Sequence, residues 1–388
     1  MPELPEITWG KLTPEKFLRK YWQKKPLLLK QAFPHYRCPL TPNDLAALAC
    51  MDNVSSRLVF EQKNRKPWQV NYGPFDESVF NKLPKSCWTL LVQGVDRHDE
   101  DIADLLNAFN FIPRWRIDDI MISYAPENGS VGPHLDSYDV FLLQGLGRRR
   151  WLLNTTDYTE QDFRPDLELR IIDNFKSKQE YTLEPGDMLY LPPGVAHHGI
   201  ALEPCLTLSI GFLAPSKAEL VQQFADEIIS STVTDQRYTD PGLKRQKSNA
   251  EISHDSLRQL RTMMQQAVSD ERQLDQWLGK YLTSSDAPVS TGKRKLSLET
   301  FKTRLKSGWV LKRKLNSKFA YIKNKKSIDL FINGEHFPFS VKELSFIRLI
   351  GEKMKIDNAD LKKLKSPKNP YRFLHQLYSS GVFDFVKN

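Results

Sequence analysis

His134 and Asp136 form an H-x-D pair inside VGPHLDSYD, residues 131–139. On an extended strand, residues i and i+2 project to one face, so an imidazole and a carboxylate at this spacing can reach the same metal ion. A third ligand must come from elsewhere. The segment LEPGDMLYLPPGVAHHG, residues 183–199, delivers His197 and His198 after a Pro185-Gly186 turn, an apolar strand Met188–Leu191 and a second turn at Pro192–Gly194. Adjacent strand residues face opposite ways, so only one of the two histidines can join the pair, and the P-P-G-x-x-H pattern favours His197 over His198. Two histidines and one carboxylate leave positions open for a cosubstrate and O2, which is the ligand set of non-haem Fe(II) oxygenases. A lone H-x-D is common, and a lone histidine more often satisfies a core hydrogen bond; the weight lies in the conjunction and its order.

A second group lies close by. Gly147-Arg148-Arg149-Arg150-Trp151 follows the apolar strand Val140–Leu143 across a Gly145–Gly147 turn, and strand alternation sets Arg149 opposite to its two arginine neighbours. An inward guanidinium offers the bidentate fork that the distal end of a dicarboxylate requires. A solvated basic edge is the plainer alternative.

The stretches DDIMISYAPENGSVGPHLDSYDVFLLQGLGRRRW and LEPGDMLYLPPGVAHHG closely resemble the bacterial ribosomal-protein arginine hydroxylases, cupin-like oxygenases of the JmjC superfamily. The resemblance covers residues 1–215 in detail and the remainder in layout. It implies a double-stranded β-helix that binds Fe(II) through His134, Asp136 and His197, with 2-oxoglutarate held by Arg149 and Ser123 and O2 as the second cosubstrate. The implied reaction decarboxylates the 2-oxo acid to succinate and CO2 and hydroxylates the β-carbon of one arginine in large-subunit ribosomal protein sixteen, in the cytoplasm. The flanking residues suit that reading, because Asp119, Met121 and Ser123 share one strand face. Asp119 can pair with a guanidinium, Met121 and Tyr138 can pack its methylene stem, and Ser209 in the strand Thr207–Phe212 is a further polar contact. Tyr138 and Trp151 are candidates for packing and shielding the site. Surface charge for Asp119 and core filling for Met121 are the plain alternatives.

Composition agrees. At 388 residues the chain exceeds one ordinary core, and 40% hydrophobic with 11% aromatic residues supply material for two or three domains. No long apolar run exists, and MPELPEITWG lacks basic and apolar leader regions, so neither membrane insertion nor secretion is expected. Cys38, Cys50, Cys87 and Cys205 lack metal or disulfide spacing and read as reduced thiols. Short helices are expected at Pro14–Trp22 and Pro42–Met51, capped by Thr13 and Thr41, then a strand-rich region to Phe212. Apolar stripes Leu220/Phe224/Ile228, Leu257/Leu260/Met264/Val268 and Leu274/Trp277/Leu278/Tyr281 then predict helices, which as a module outside a barrel suggest dimerisation; packing against the chain's own barrel is the alternative. The family is dimeric, which favours a homodimer.

A Ser/Thr/Pro/Gly linker is expected at Thr283–Lys293, and beyond it the charge shifts. Residues 291–388 carry 23 Lys+Arg against 8 Asp+Glu, a net of +15, while the other 290 residues carry 33 against 39, a net of −6. A helix Leu298–Lys306, strands Trp309–Lys314, Phe319–Ile322, Ser327–Ile332 and His336–Phe339, and helices from Val341 and Arg372 resemble the family's C-terminal winged helix. The expected fold is therefore α+β: residues 1–215 a JmjC/cupin-like oxygenase domain with N-terminal helices, 216–285 a helical dimerisation domain, 294–388 a basic winged helix. The lysines show no recognition-helix code, so specific nucleic-acid binding is not expected. Outside this reading stand a non-catalytic ribosome- or RNA-binding cupin, a histone-type demethylase, which would need a methyl-lysine cage, and a hydroxylase acting on another ribosomal residue such as histidine.

Overall fold

Alternation along the strands builds the first half of the molecule. In the computed structural model, which describes residues 6–61, 68–231, 237–284, 296–366 and 369–387, the chain divides into two units, 1–214 and 215–388. In the first, β1 (Leu27–Leu29), β2 (Ser56–Glu61), β3 (Trp68–Tyr72), β4 (Trp88–Val92), β5 (Ile117–Ala125), β6 (Val140–Leu146), β7 (Arg149–Asn154), β8 (Gln179–Leu183), β9 (Met188–Leu191), β10 (Ala196–Ala201) and β11 (Cys205–Phe212) form two antiparallel sheets. The larger runs β1-β9-β6-β11-β5-β4-β2-β3 and the smaller β10-β7-β8.

The two faces of the larger sheet do different work. Leu206, Leu208, Ile210 and Phe212 of β11, Ile120 and Ile122 of β5, and Phe141 and Leu143 of β6 enter one apolar core together with Phe17, Leu45 and Phe109 from the flanking helices. That core holds an aromatic cluster in which Phe17 lies 4.9 Å from Tyr190 and Phe109 lies 5.1 Å from Phe141, centroid to centroid. The intervening residues of the same strands face the smaller sheet, where Val140, Leu142, Trp151, Leu153, Leu189 and Leu191 close a second core at one end. The expected caps are present: Thr13 opens Pro14–Lys20, and Thr41 with Asp44 makes a capping box for Pro42–Ala49. All four cysteines are free.

In the second unit, helices Lys217–Ser231, His254–Ala267 and Glu271–Thr283 precede helix Leu298–Lys306. Strands β12 (Trp309–Arg313), β13 (Phe319–Lys323), β14 (Ser327–Ile332), β15 (Glu335–Ser340), β16 (Lys355–Ile356) and β17 (Phe383–Lys387) follow, with helices Leu344–Glu352, Asn358–Lys362 and Pro370–Ser379 among them. They pair as β16-β12-β17 and β13-β14-β15 around a core that includes Phe301, Leu311, Leu330, Phe346 and Leu374. Helix Glu271–Thr283 packs on the second of these sheets so closely that a Cβ at Gly279 would stand 2.3 Å from the Phe331 ring. Its stripe is internal, with Trp277 buried 5.0 Å from Phe224. The other stripe differs: Leu260, Met264 and Val268 are exposed, and helix His254–Ala267 buries no residue. The expected linker falls mostly on residues 285–295, outside the described residues; its first residue, Thr283, is the buried end of a helix. Among the described residues no helix is long and apolar enough to cross a membrane.

One buried charge pins the barrel to its N-terminal cover. Asp139, fully buried, accepts hydrogen bonds from the Tyr190 hydroxyl at 2.6 Å, Gln23 Nε2 at 2.9 Å and Arg116 Nη2 at 3.3 Å. Removing the carboxylate strands three donors, so Asp139→Ala is predicted to cost about 3 kcal/mol, read as a lower denaturant midpoint. An unchanged midpoint would remove Asp139 from the account of stability.

Candidate metal centre and active site

His134 follows Gly132, whose φ of +82° suits glycine alone, and Pro133. The expected strand is here a single antiparallel bridge: His134 N–H donates to the His197 carbonyl at 3.0 Å, and His197 N–H returns the bond at 2.8 Å. Pairing then lapses because the Asp136 carbonyl accepts from Gly194 N–H at 2.8 Å, inside the Pro192–Gly194 turn. The H-x-D pair is therefore held by a bridge and a turn rather than by a strand, and its two side chains still converge. One ligand atom from each of His134, Asp136 and His197 lies within 4.8 Å of the others, with His197 Nε2 3.7 Å from Asp136 Oδ2.

The ring orientations decide which nitrogen is presented. His134 Nδ1 lies 2.9 Å from the Gly132 carbonyl and His197 Nδ1 2.9 Å from the Val195 carbonyl. A carbonyl only accepts, so Nδ1 carries the proton in each ring and Nε2 keeps the lone pair a metal needs. Burial, then the neighbouring His134, lowers the His197 pKa to about 4, which keeps it neutral at physiological pH. His198 takes the opposite face of β10, its ring 6.3 Å from Phe175.

These ligands open into a cavity of about 250 Å³ whose wall includes all nine side chains expected from the sequence: Asp119, Met121, Ser123, His134, Asp136, Tyr138, Arg149, His197 and Ser209. Arg149 is 2% exposed and donates to Ser123 Oγ at 3.2 Å and to the Gly199 carbonyl at 3.3 Å, its guanidinium 5.0 Å from the Trp151 ring centre. Among the described residues no carboxylate pairs with it, and its buried Nε has no partner. Burial lowers its pKa. Its neighbours behave as alternation requires, Arg148 pairing with Glu203 at 3.2 Å and Arg150 with Glu180 at 3.9 Å on the outside. Position 199 must be glycine, since a Cβ there would sit 2.7 Å from Arg149 Nε and from the Trp151 ring.

Asp119 is 3% exposed, and its Oδ2 takes two hydrogen bonds, from Gln93 Nε2 at 2.8 Å and Gly94 N–H at 2.7 Å. Burial raises its pKa, nearby Asp118 adds to the rise, and these donors oppose it. Oδ1 lies across the cavity wall from Gly211, 3.7 Å from where a Cβ on that residue would stand. Sequence reasoning missed Arg57, Leu91, Gln93, Asp118, Thr207 and Gly211, which also line the cavity. Thr207 and Gly211 follow from Ser209 by alternation and were within reach. Asp118 joins Asp119 because β5 carries one extra residue opposite β11, where Ile210 pairs with Ile120 but Phe212 with Ile117.

The JmjC domain family model matches residues 104–220, and a ROXA-like winged-helix model matches 261–384. The chain is 40% identical over 269 residues to the ribosomal protein uL16 3-hydroxylase of Escherichia coli (strain K12), a span of 69% of this chain and 71% of that protein. The chain belongs to the JmjC ribosomal oxygenases. A probable ribosomal oxygenase of Haemophilus influenzae is 42% identical over 211 residues, 54% of this chain and 52% of that protein. The structure of an Escherichia coli ribosomal oxygenase in complex with cobalt and 2-oxoglutarate matches with a TM-score of 0.82 at 32% identity, covering 98% of this chain and 99% of that one. The expected α+β fold, a JmjC barrel with a C-terminal winged helix, is the fold of this ribosomal oxygenase.

Donor chemistry fits a divalent transition metal, two imidazole nitrogens and one carboxylate, and the unpaired buried guanidinium fits a dicarboxylate. Asp136→Ala is predicted to weaken Co(II) binding, followed by its visible absorption, by about 100-fold or more. Wild-type affinity in that variant would place the metal elsewhere.

Proposed function

We propose that this ribosomal oxygenase hydroxylates the β-carbon of an arginine in large-subunit ribosomal protein uL16, in the cytoplasm, using Fe(II), 2-oxoglutarate and O2. The observation that carries the reading is the placement, in one cavity, of the His134/Asp136/His197 triad, a buried guanidinium and a buried carboxylate. The named likeness to a uL16 3-hydroxylase supplies the substrate. Iron with its cosubstrates supplies oxidative decarboxylation to succinate and CO2 coupled to hydroxylation of a C–H bond.

The chain's own residues position and exclude. His134, Asp136 and His197 hold the metal. Arg149, steadied by Ser123 and the Gly199 carbonyl, takes the distal carboxylate of the cosubstrate, where a buried cation is strongest. Asp119 presents Oδ1 to the substrate guanidinium while Gln93 and Gly94 hold its other oxygen. Met121, Tyr138 and Ser209 line the path of the side chain. Trp151 packs between Arg149 and His197, its ring 5.8 Å from the latter, and keeps water from the inner end. A methyl-lysine cage is not formed among the described wall residues, whose aromatic rings are Tyr138 and the already stacked Trp151. The exposed stripe Leu260, Met264 and Val268 is the seam through which two copies would associate as a homodimer.

Incubating the uL16 peptide that bears the target arginine with protein, Fe(II), 2-oxoglutarate and O2 is predicted to add one oxygen atom to that arginine, seen by tandem mass spectrometry, and His134→Ala to abolish it. Oxygen on a histidine, or succinate release with no peptide change, would reject arginine as the target. Gly211→Ala adds one methyl group facing Asp119 Oδ1 at ordinary contact distance. It is predicted to raise the peptide KM roughly 10- to 100-fold while peptide-free 2-oxoglutarate turnover persists. An unchanged KM would show that the substrate cation does not pass between these two residues.

A further inference from the structure

The winged-helix region carries all of the chain's basic excess, distributed unevenly among its elements. Helix Pro370–Ser379, which leads into β17, spends its side chains inward: Tyr371 bonds Asn358 at 2.8 Å, Phe373 packs 5.0 Å from Phe339, and His375 bonds the Leu296 carbonyl at 2.7 Å. Only Arg372 and Gln376 of its polar side chains are exposed.

The β13–β14 hairpin is arranged otherwise. Asn324 N–H closes its turn on the Ser327 carbonyl at 2.9 Å, which puts Lys323, Lys325 and Lys326 at an exposed tip. Among the described residues none of these three lysines has an ion-pair partner, whereas Lys302 pairs with Glu299 at 2.8 Å and Lys353 with Asp360 at 2.5 Å. The carboxylate nearest in sequence, Asp329, is buried and engaged by Asn324 Nδ2 at 2.8 Å and His336 Nε2 at 2.7 Å. Tyr321 pairs in register with Leu330 and Lys323 with Ile328, so ring and ammonium share one strand face, away from Ile322 and Asp329. Tyr321 is 38% exposed, and it interacts with Arg348, itself exposed on helix Leu344–Glu352.

We infer that this wing, through Lys323, Lys325, Lys326, Arg348 and Tyr321, binds single-stranded or looped RNA without sequence preference. Unpaired ammonium groups release counterions on meeting phosphates, and an exposed ring flanked by cations is a stacking platform for an unpaired base. A duplex offers no free base face to that ring, and a membrane surface offers it no base at all. Glu343 and Glu352 stand near the patch, but Glu343 is spent on the cap at Ser340 and Glu352 lies one turn from Arg348 on the same helix.

Fluorescence anisotropy of the full chain with a labelled oligouridine of about 12 nucleotides tests this. Four cations on phosphates give a slope of log affinity against log salt of roughly −3. The triple change Lys323→Glu, Lys325→Glu, Lys326→Glu is expected to weaken binding more than 10-fold and flatten that slope, and Tyr321→Ala to weaken it severalfold with the slope kept. Circular dichroism and wild-type hydroxylation of the isolated peptide show that the variants fold. No binding by the wild type at low salt, or unchanged binding by the triple variant, overturns the inference. Equal or tighter affinity for duplex DNA, or for vesicles containing anionic lipid, overturns the assignment to unpaired RNA.

Discussion

Two backbone hydrogen bonds exchanged by His134 and His197 hold the working parts of this enzyme in register. With the bonds from Asn128 N–H to the Ala201 carbonyl and from Ala201 N–H to the Gly129 carbonyl, they tie an irregular segment to β10, and β10 is itself fully paired with β7. His197 stands opposite Leu153 and Ala201 opposite Arg149, so metal ligand and buried guanidinium are separated by a fixed number of steps along one strand pair. Each step is about 3.3 Å, and a slip of one residue would turn both side chains outward. Gly199 lies between them, on the same face of β10 as His197, and its lack of a side chain is what lets Arg149 and Trp151 pass.

The larger sheet separates stability from chemistry by facing. Residues 206, 208, 210 and 212 bury apolar mass against the N-terminal helices, and 207, 209 and 211 face the cavity with a hydroxyl, a hydroxyl and a hydrogen atom. A polar wall on the inner face is therefore backed by a dense aromatic core on the outer one, and inner substitutions leave that core in place. The wall is polarised along its length, with Arg149 at one place and Asp118 and Asp119 at another. Under the proposed function, an anionic cosubstrate and a cationic substrate side chain would each meet the opposite charge in a site of low dielectric, which would orient both before any reaction.

What the sequence disclosed follows from period two. Alternation alone turns Arg149 inward between two outward arginines, sets His197 against His198 and aligns Asp119, Met121 and Ser123, all as found. Where alternation fails, so does the reading. The H-x-D pair lies on a bridge and a turn, because a turn amide takes the Asp136 carbonyl. Asp118 reaches the cavity through a bulge that no local pattern announces. Gln93 lies just past the end of β4 and Arg57 on β2, whose sequences show no chemistry of their own; only the sheet order brings them to the site. The helical stripes were legible as helices, but which would be internal was not: Trp277 finds Phe224, while Met264 is left exposed, a matter of tertiary packing.

The net charge of +9 describes no part of the molecule. Charges further apart than the Debye length, about 8 Å at physiological ionic strength, are screened from each other, so a partner responds to the charges around its own contact and not to the total. A basic peptide approaching the cavity meets the field of its own neighbourhood, where Asp118, Asp119 and Asp136 stand with Arg57 and Arg149. A polyanion approaching the lysine-bearing hairpin meets the other field. Segregation of sign along the chain thus allows one protein to present attractive surfaces to partners of opposite charge, which a uniform distribution of the same 56 basic and 47 acidic residues would not.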